Sequence, residues 1–172
     1  YPAITSWHPF AALWTASSPL IAAANPSTPT APTLLRTAIL TVSRATSVDA
    51  RLILATIMQE SGGALAVPCT GTGNCGIMQA APGSGSWPGA SVEGMVRDGV
   101  QGVAGQWPEG GPGLAYWLGV YGEPWRALRA YNTGSVPDGG DLSATGGVGT
   151  ASYVVDVANR LVGWDGVTRG SC

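Results

Sequence analysis

One carboxylate in this chain stands where acid chemistry would need it. Glu60 closes the run Arg51-Leu-Ile-Leu-Ala-Thr-Ile-Met-Gln-Glu60 and is followed at once by Ser61, Gly62 and Gly63. Positions 52, 53, 54, 55, 57 and 58 are apolar, so the run reads as a helix passing through a core rather than over a surface. Ser47 is the expected N-cap, and Asp49 falls in the first turn, where the helix dipole favours negative charge. Gly62 and Gly63 supply the stop, because glycine accepts the left-handed conformation past a helix end. A carboxyl delivered by a buried helix to that helix's own negative end is desolvated and meets an unfavourable field. Both effects favour the protonated acid. An acid still protonated near neutral pH is what cleavage of a glycosidic bond needs, since the leaving sugar oxygen must receive a proton. A helix-terminal glutamate pointing into water is the competing reading.

Three further segments decide between the two. They are Gly76-Ile77-Met78-Gln79, then Ala127-Leu128-Arg129-Ala130-Tyr131-Asn132-Thr133-Gly134, and Thr150-Ala151-Ser152-Tyr153-Val154. With Glu60-Ser61-Gly62-Gly63 in front, their types and order resemble the lysozyme-like superfamily of soluble lytic transglycosylases and goose-type lysozymes, over roughly residues 34–164. The resemblance implies a mainly α, single helical domain with a glycan-binding cleft. It further implies cleavage of the β-1,4 bond between N-acetylmuramic acid and N-acetylglucosamine in peptidoglycan. Carried over residue by residue, Glu60 is the general acid, while Ser61, Gln79, Tyr131, Asn132 and Tyr153 belong to the substrate-binding cleft. One departure matters. Goose-type lysozymes place aspartates after the catalytic glutamate, whereas no acidic residue lies here between Glu60 and Glu93.

Hydrolysis by an activated water would require a second carboxylate, and Asp98, Glu109, Asp138 and Asp141 are the candidates. A secreted bacteriolytic muramidase gains nothing from recyclable anhydro sugars, which favours hydrolysis. The alternatives are a lytic transglycosylase giving 1,6-anhydro products, a chitin-cleaving enzyme, or a glycan-binding module without catalysis. Several candidates have structural readings beside the functional ones. Tyr131 shares a helical face with Ala127 and Leu128 and could be a core tyrosine; Asn132 could be a C-cap. Glu93 with Arg97, and Asp156 with Arg160, are spaced as one-turn ion pairs. His8 reads as structural. Trp87, Trp107, Trp117 and Trp125 are mostly core candidates, with one or two expected to meet sugar.

Composition sets the outer limits. The 172 residues fit one domain, with 1–33 as an N-terminal segment packed on or leading into it and 34–172 as the catalytic domain. Net charge is −2 and every cation except the lone histidine is arginine, spread along the chain, so no basic cluster is offered to nucleic acid. No apolar run is long enough to span a bilayer, and the first residues show no signal-peptide pattern, as in a mature or trimmed product. No metal site and no cofactor are expected, and the chain is expected to be a secreted, extracellular monomer. Cys69 and Cys75 bracket a Gly/Thr/Asn turn and are expected to form a disulfide, with free thiols as the alternative. Cys172 leaves an odd count, either free or once paired to a flanking module.

Helices are expected over 33–44, 47–60, 91–106, 114–120, 124–132 and from Thr150 or Ser152 to Val162. A short hairpin near Cys69–Cys75 is the only strand expected. Residues 25–33 read as a linker or an extended surface strap.

Overall fold

The computed structural model describes residues 1–71, 73–104, 108 and 110–167. Among these residues it holds seven α-helices, one short 3-10 turn at Ile4–Ser6 and no strand. The expected helical domain is thus observed. No helix among the described residues is long and apolar enough to cross a membrane.

The centre is α3 (Ala50–Glu60), where Leu52 through Met58 are seven consecutive buried residues. Each large apolar side chain so placed stabilises the fold by about 1.5–3 kcal/mol. Its neighbours are α1 (Phe10–Ala24), α2 (Ala31–Thr46) and α7 (Tyr153–Leu161). Around them, α4 (Val92–Gln101) lies on α2, while α5 (Leu114–Tyr121) and α6 (Pro124–Thr133) form a helical hairpin touching α4 and α7.

Several boundaries move, each for a local reason. The cap of α3 is Asp49, which accepts the Arg51 N–H at 2.8 Å, and not Ser47, whose φ of 61° ends α2 instead. Asp49 also pairs with the Arg51 guanidinium at 2.6 Å, and that guanidinium lies over the Trp7 ring. Helix α4 stops at Gln101 because Gly102 takes a φ of 118°, so Val103 lies beyond its end. Ser91 caps it as expected, accepting from Gly94 N at 3.0 Å. Glu93 and Arg97 form their one-turn pair at 2.8 Å. Arg160 does not pair with Asp156: it donates to Gln59 Oε1 and lies over Trp164, while Asp156 accepts from Ser152 and Gln59.

The largest surprise is α1. Its sequence, Phe-Ala-Ala-Leu-Trp-Thr-Ala-Ser-Ser-Pro-Leu-Ile-Ala-Ala-Ala, lacks a clear apolar stripe and carries Pro19, yet alanine propensity and burial of Leu13 and Ile21 suffice. The stretch after it is a compact turn, not an extended strap, because α2 already begins at Ala31. Asn25 closes that turn. Its amide donates to Ile21 O and Gly63 O and accepts from Leu65 N, all in a buried setting. Gly63 has a φ of 80°, and a Cβ there would strike Ile21 Cγ1 at 2.6 Å. The glycine after Glu60 therefore serves two purposes: it turns the chain and lets α1 close over the turn.

Candidate active site

Glu60 is the last residue of α3, and Ser61 ends the helix by donating its N–H to Ile57 O. Beyond it, among the described residues, the chain is non-helical as far as Ser91. Within that segment two antiparallel bridges, Thr70 with Asn74 and Cys75 with Ala80, replace the expected hairpin with something tighter. Cys69 and Cys75 are disulfide-bonded, with Cα atoms 4.3 Å apart. The loop they close stands against the ends of α6 and α7, leaving a groove of about 510 Å³ whose lining includes Glu60, Thr70, Asn74, Gln79, Tyr131 and Tyr153. The 148–150 loop forms another wall.

The Glu60 carboxyl is largely enclosed. Desolvation raises its pKa to about 7, partly offset by the hydrogen bond it accepts from Tyr153. That bond, Tyr153 Oη to Glu60 Oε1, measures 2.5 Å. Tyr153 itself is buried, and burial together with the Glu60 charge raises its own pKa well above the ordinary value, so it remains a donor. A proton donor near neutral pH with a fixed phenol ready to stabilise its conjugate base is suited to general acid catalysis.

The other expected residues fall into two groups. Tyr131 lines the groove, but its hydroxyl donates to Met78 O at 2.8 Å, so it binds the Gly76–Gln79 segment to α6 as well as forming a wall. Asn132 also lines the groove. It is not the C-cap of α6, which is Gly134 at a φ of 79°. Asn132 Oδ1 accepts from Thr150 N and Arg129, while its Nδ2 has no partner among the described residues. Gln79 and Ser61 are turned inward. The Gln79 amide accepts from Thr70 N and Oγ1 and donates to Pro68 O and Gly76 O, clamping the disulfide loop. The Ser61 hydroxyl donates to Ile57 O and Ile77 O, joining the helix tip to the next motif.

Of the candidate bases among the described residues, Asp98 alone borders the groove, in an adjoining half of about 370 Å³ that shares Asn74, Tyr131 and Asn132 with the first. Asp138 and Asp141 lie in an exposed loop, with Asp141 held by Ser143. Glu109, Trp107 and Cys172 lie outside the described residues. Trp117 borders the adjoining half, whereas Trp125 packs on Tyr1 and Trp7, and Trp87 on the core. His8 sits against Gly163, with its backbone N–H on Leu161 O. Among the described residues no three His, Cys, Asp or Glu gather into a metal-holding group.

Sequence reasoning missed Arg129 and Gln59. Arg129 is fully buried and donates to Leu142 O, Asn132 Oδ1, Thr150 O and Ala151 O, tying α6 to the 142–151 loop. Its signal was an arginine among four successive buried positions of α6, where periodicity calls for an apolar residue. Gln59 bridges Asp156 and Arg160 across to α7, a contact that no local pattern announces.

Comparison with known families matches residues 38–153, well over half the chain and all four motif segments except the final Val154, to the Transglycosylase SLT domain. Comparison with curated proteins and with solved structures gives no match. The family cleaves peptidoglycan glycan strands by lysozyme-like chemistry, and the helical fold around Glu60 agrees with it. The chain belongs to the Transglycosylase SLT family of the lysozyme-like superfamily.

Proposed function

We propose that this protein is a lytic transglycosylase in which Glu60 acts alone, first as acid and then as base. The observation that carries the reading is the lining of the Glu60 half of the groove. Among the described residues it includes no second carboxylate. Hydrolysis with inversion needs a base about 6.5–9.5 Å from the acid, and the covalent route needs a carboxylate about 5–5.5 Å away. Asp98 belongs to the other half and already accepts a hydrogen bond from Ser84 Oγ at 2.7 Å.

In the proposed sequence Glu60 gives its proton to the bridging oxygen as the C1–O bond of N-acetylmuramic acid breaks. The carboxylate so formed is held by Tyr153. The 6-hydroxyl of the same sugar then attacks C1, and its proton returns to Glu60, leaving a 1,6-anhydro ring and a regenerated acid. No water is consumed. Asn132 Nδ2 is the free donor available to a sugar substituent, and Tyr131 and Gln79 hold the walls. The disulfide suits an oxidising compartment, which supports action outside the cytoplasm.

Mass spectrometry of fragments released from purified sacculi tests the proposal. Anhydro-muramic ends are expected; fragments heavier by one water, with free reducing ends, would replace it with the hydrolytic reading.

A further inference from the structure

Arg129 occupies a position of α6 where an apolar side chain would pack without bringing a charge into the interior. It is fully buried, between Leu128 and Ala130, which are buried as well. Among the described residues no carboxylate lies within ion-pair distance of it. Taking a cation out of water without an anionic partner is strongly unfavourable unless hydrogen bonds replace the lost water. Here neutral oxygens replace it. Nε donates to Leu142 O at 2.9 Å, one terminal nitrogen to Asn132 Oδ1 at 3.0 Å, and the other to Thr150 O and Ala151 O at 3.0 and 3.2 Å. A tether for the loop would account for Leu142. The other acceptors lead to the groove.

Thr150 O accepts twice, from Arg129 and from the backbone N–H of Tyr153 at 3.1 Å. Tyr153 is the first residue of α7, and Ser152 before it makes no side-chain cap, because its hydroxyl donates to Asp156 instead. The guanidinium thus steadies a helix start that lacks the usual cap, and that start carries the phenol that donates to Glu60 Oε1. Its charge reaches the phenol too. Burial above all, with the Glu60 and Tyr131 charges, raises the Tyr153 pKa, and Arg129 is the cation that opposes them. Asn132 is fixed from the same source. Its Oδ1 accepts from Arg129 and from Thr150 N at 2.9 Å, two donors that only the oxygen end of the amide can meet. The amide therefore cannot turn over, and Nδ2 is the end left for the groove that Asn132 lines. Gly149, at a φ of 73°, permits this close approach: a Cβ there would strike Asn132 Oδ1.

We propose that Arg129 is a positioning residue for strand cleavage: through the Thr150 and Ala151 carbonyls it aligns the Tyr153 phenol on Glu60, and through Oδ1 it presents the Asn132 Nδ2 donor to substrate. One buried cation, touching neither Glu60 nor the groove, then sets two separate properties. Alignment of the phenol governs the rate at which the Glu60 proton is given and recovered, and the presented amide governs binding. The inference rests on the glycan-cleaving reading and adds to it a residue outside the groove on which both steps depend.

The test is steady-state cleavage of soluble peptidoglycan oligosaccharides by the full chain, with kcat and KM followed separately through two double-substitution cycles. Arg129→Lys keeps the charge, but a single ammonium cannot span acceptors spread over Leu142, Asn132, Thr150 and Ala151. It should lower kcat about tenfold and raise KM about fivefold. Made on Tyr153→Phe, the same change should lower kcat by no more than about twofold; made on Asn132→Ala, it should leave KM within about twofold. A guanidinium that only tethers the loop would show its full effect on both backgrounds, and that result overturns the proposal while the glycan-cleaving reading stands. Gly149→Ala, an exposed change that presses on Asn132 and Thr133 rather than on Arg129, should raise KM by itself. It decides the matter if Arg129→Lys does not fold, and an unchanged KM there overturns the proposal too. If the unsubstituted protein releases nothing from sacculi, the glycan-cleaving reading falls and this inference with it.

Discussion

Glu60 and Tyr153 form a pair in which each residue sets the chemistry of the other. Burial pushes the Glu60 pKa up to about 7, and the phenol, by donating to the carboxylate, holds it from rising further. Glu60→Gln should lower the rate of strand cleavage by at least about a hundredfold, since among the described residues no neighbouring acid lines its half of the groove. The rate of the unsubstituted protein should fall as pH rises through about 7, where the proton to be donated is lost. Tyr153→Phe removes a donor that favours the anion, so the alkaline limb of the pH–rate profile should move upward even as the maximal rate drops. A stability consequence has the same origin. Because the folded pKa lies above the unfolded value of 4.5, the native state holds the proton more tightly, and stability falls as pH rises from about 4.5 to about 7. Glu60→Gln should therefore melt higher than its parent at pH 8, by on the order of 2 kcal/mol after allowance for partial exposure, with the gap closing near pH 4. Calorimetric melts at both pH values would show it; an unchanged gap would contradict the buried-acid account. Glu60 was legible in the sequence because its environment is local: an apolar run, a glycine stop and a helix end. Gln79 was legible as a motif residue, but its commitment to Thr70, Pro68 and Gly76 depends on how the loop folds back.

At the scale of elements, the groove has two walls of irregular chain, and each is held by a clamp that secondary-structure reading could not supply. One is the disulfide with Gln79; the other is Arg129. Replacing Cys69 and Cys75 by serine should cost about 2 kcal/mol for so short a loop, within reach of urea melts. It should also raise KM more than it lowers kcat, because Asn74 and Thr70 belong to the wall while the acid is on α3. Arg129→Met would leave the carbonyls of Leu142, Thr150 and Ala151 without their donor, for a loss of about 2–4 kcal/mol. Such a change should also loosen Asn132, which shares that guanidinium. Helices α2 to α7 were readable because caps and apolar spacing are written within one turn of each boundary. The disulfide was legible too, from two cysteines bracketing a Gly/Thr/Asn turn, but the Arg129 and Gln79 contacts were not, since each joins residues from separate segments: Arg129 reaches Thr150 and Ala151, and Gln79 reaches Thr70.

For the molecule as a whole, α1 raises the question of where the folding unit begins. Its sequence lacks a stripe that would mark it as a packed helix, and the proline-rich stretch after it resembles a linker. Yet Ile21 is fully buried, and Asn25 donates to Gly63 O and accepts from Leu65 N, the turn that immediately follows Glu60. The family match begins only at residue 38 and so leaves α1 out, although the turn beside Glu60 leans on it. We infer that residues 1–33 fold with the rest as one cooperative unit. Ile21→Ala should then destabilise the whole protein by about 2–4 kcal/mol, through a cavity against Gly63 that backbone cannot fill. Asn25→Ala should cost about 1–3 kcal/mol by leaving buried backbone groups unpaired. A chain beginning at Leu34 should lose both supports together, along with its sharp thermal transition and its cleavage of sacculi. Should that shortened chain melt cooperatively and cleave as fast as the full one, α1 would be an appendage, and the geometry of the Glu60 turn would have to be self-sufficient.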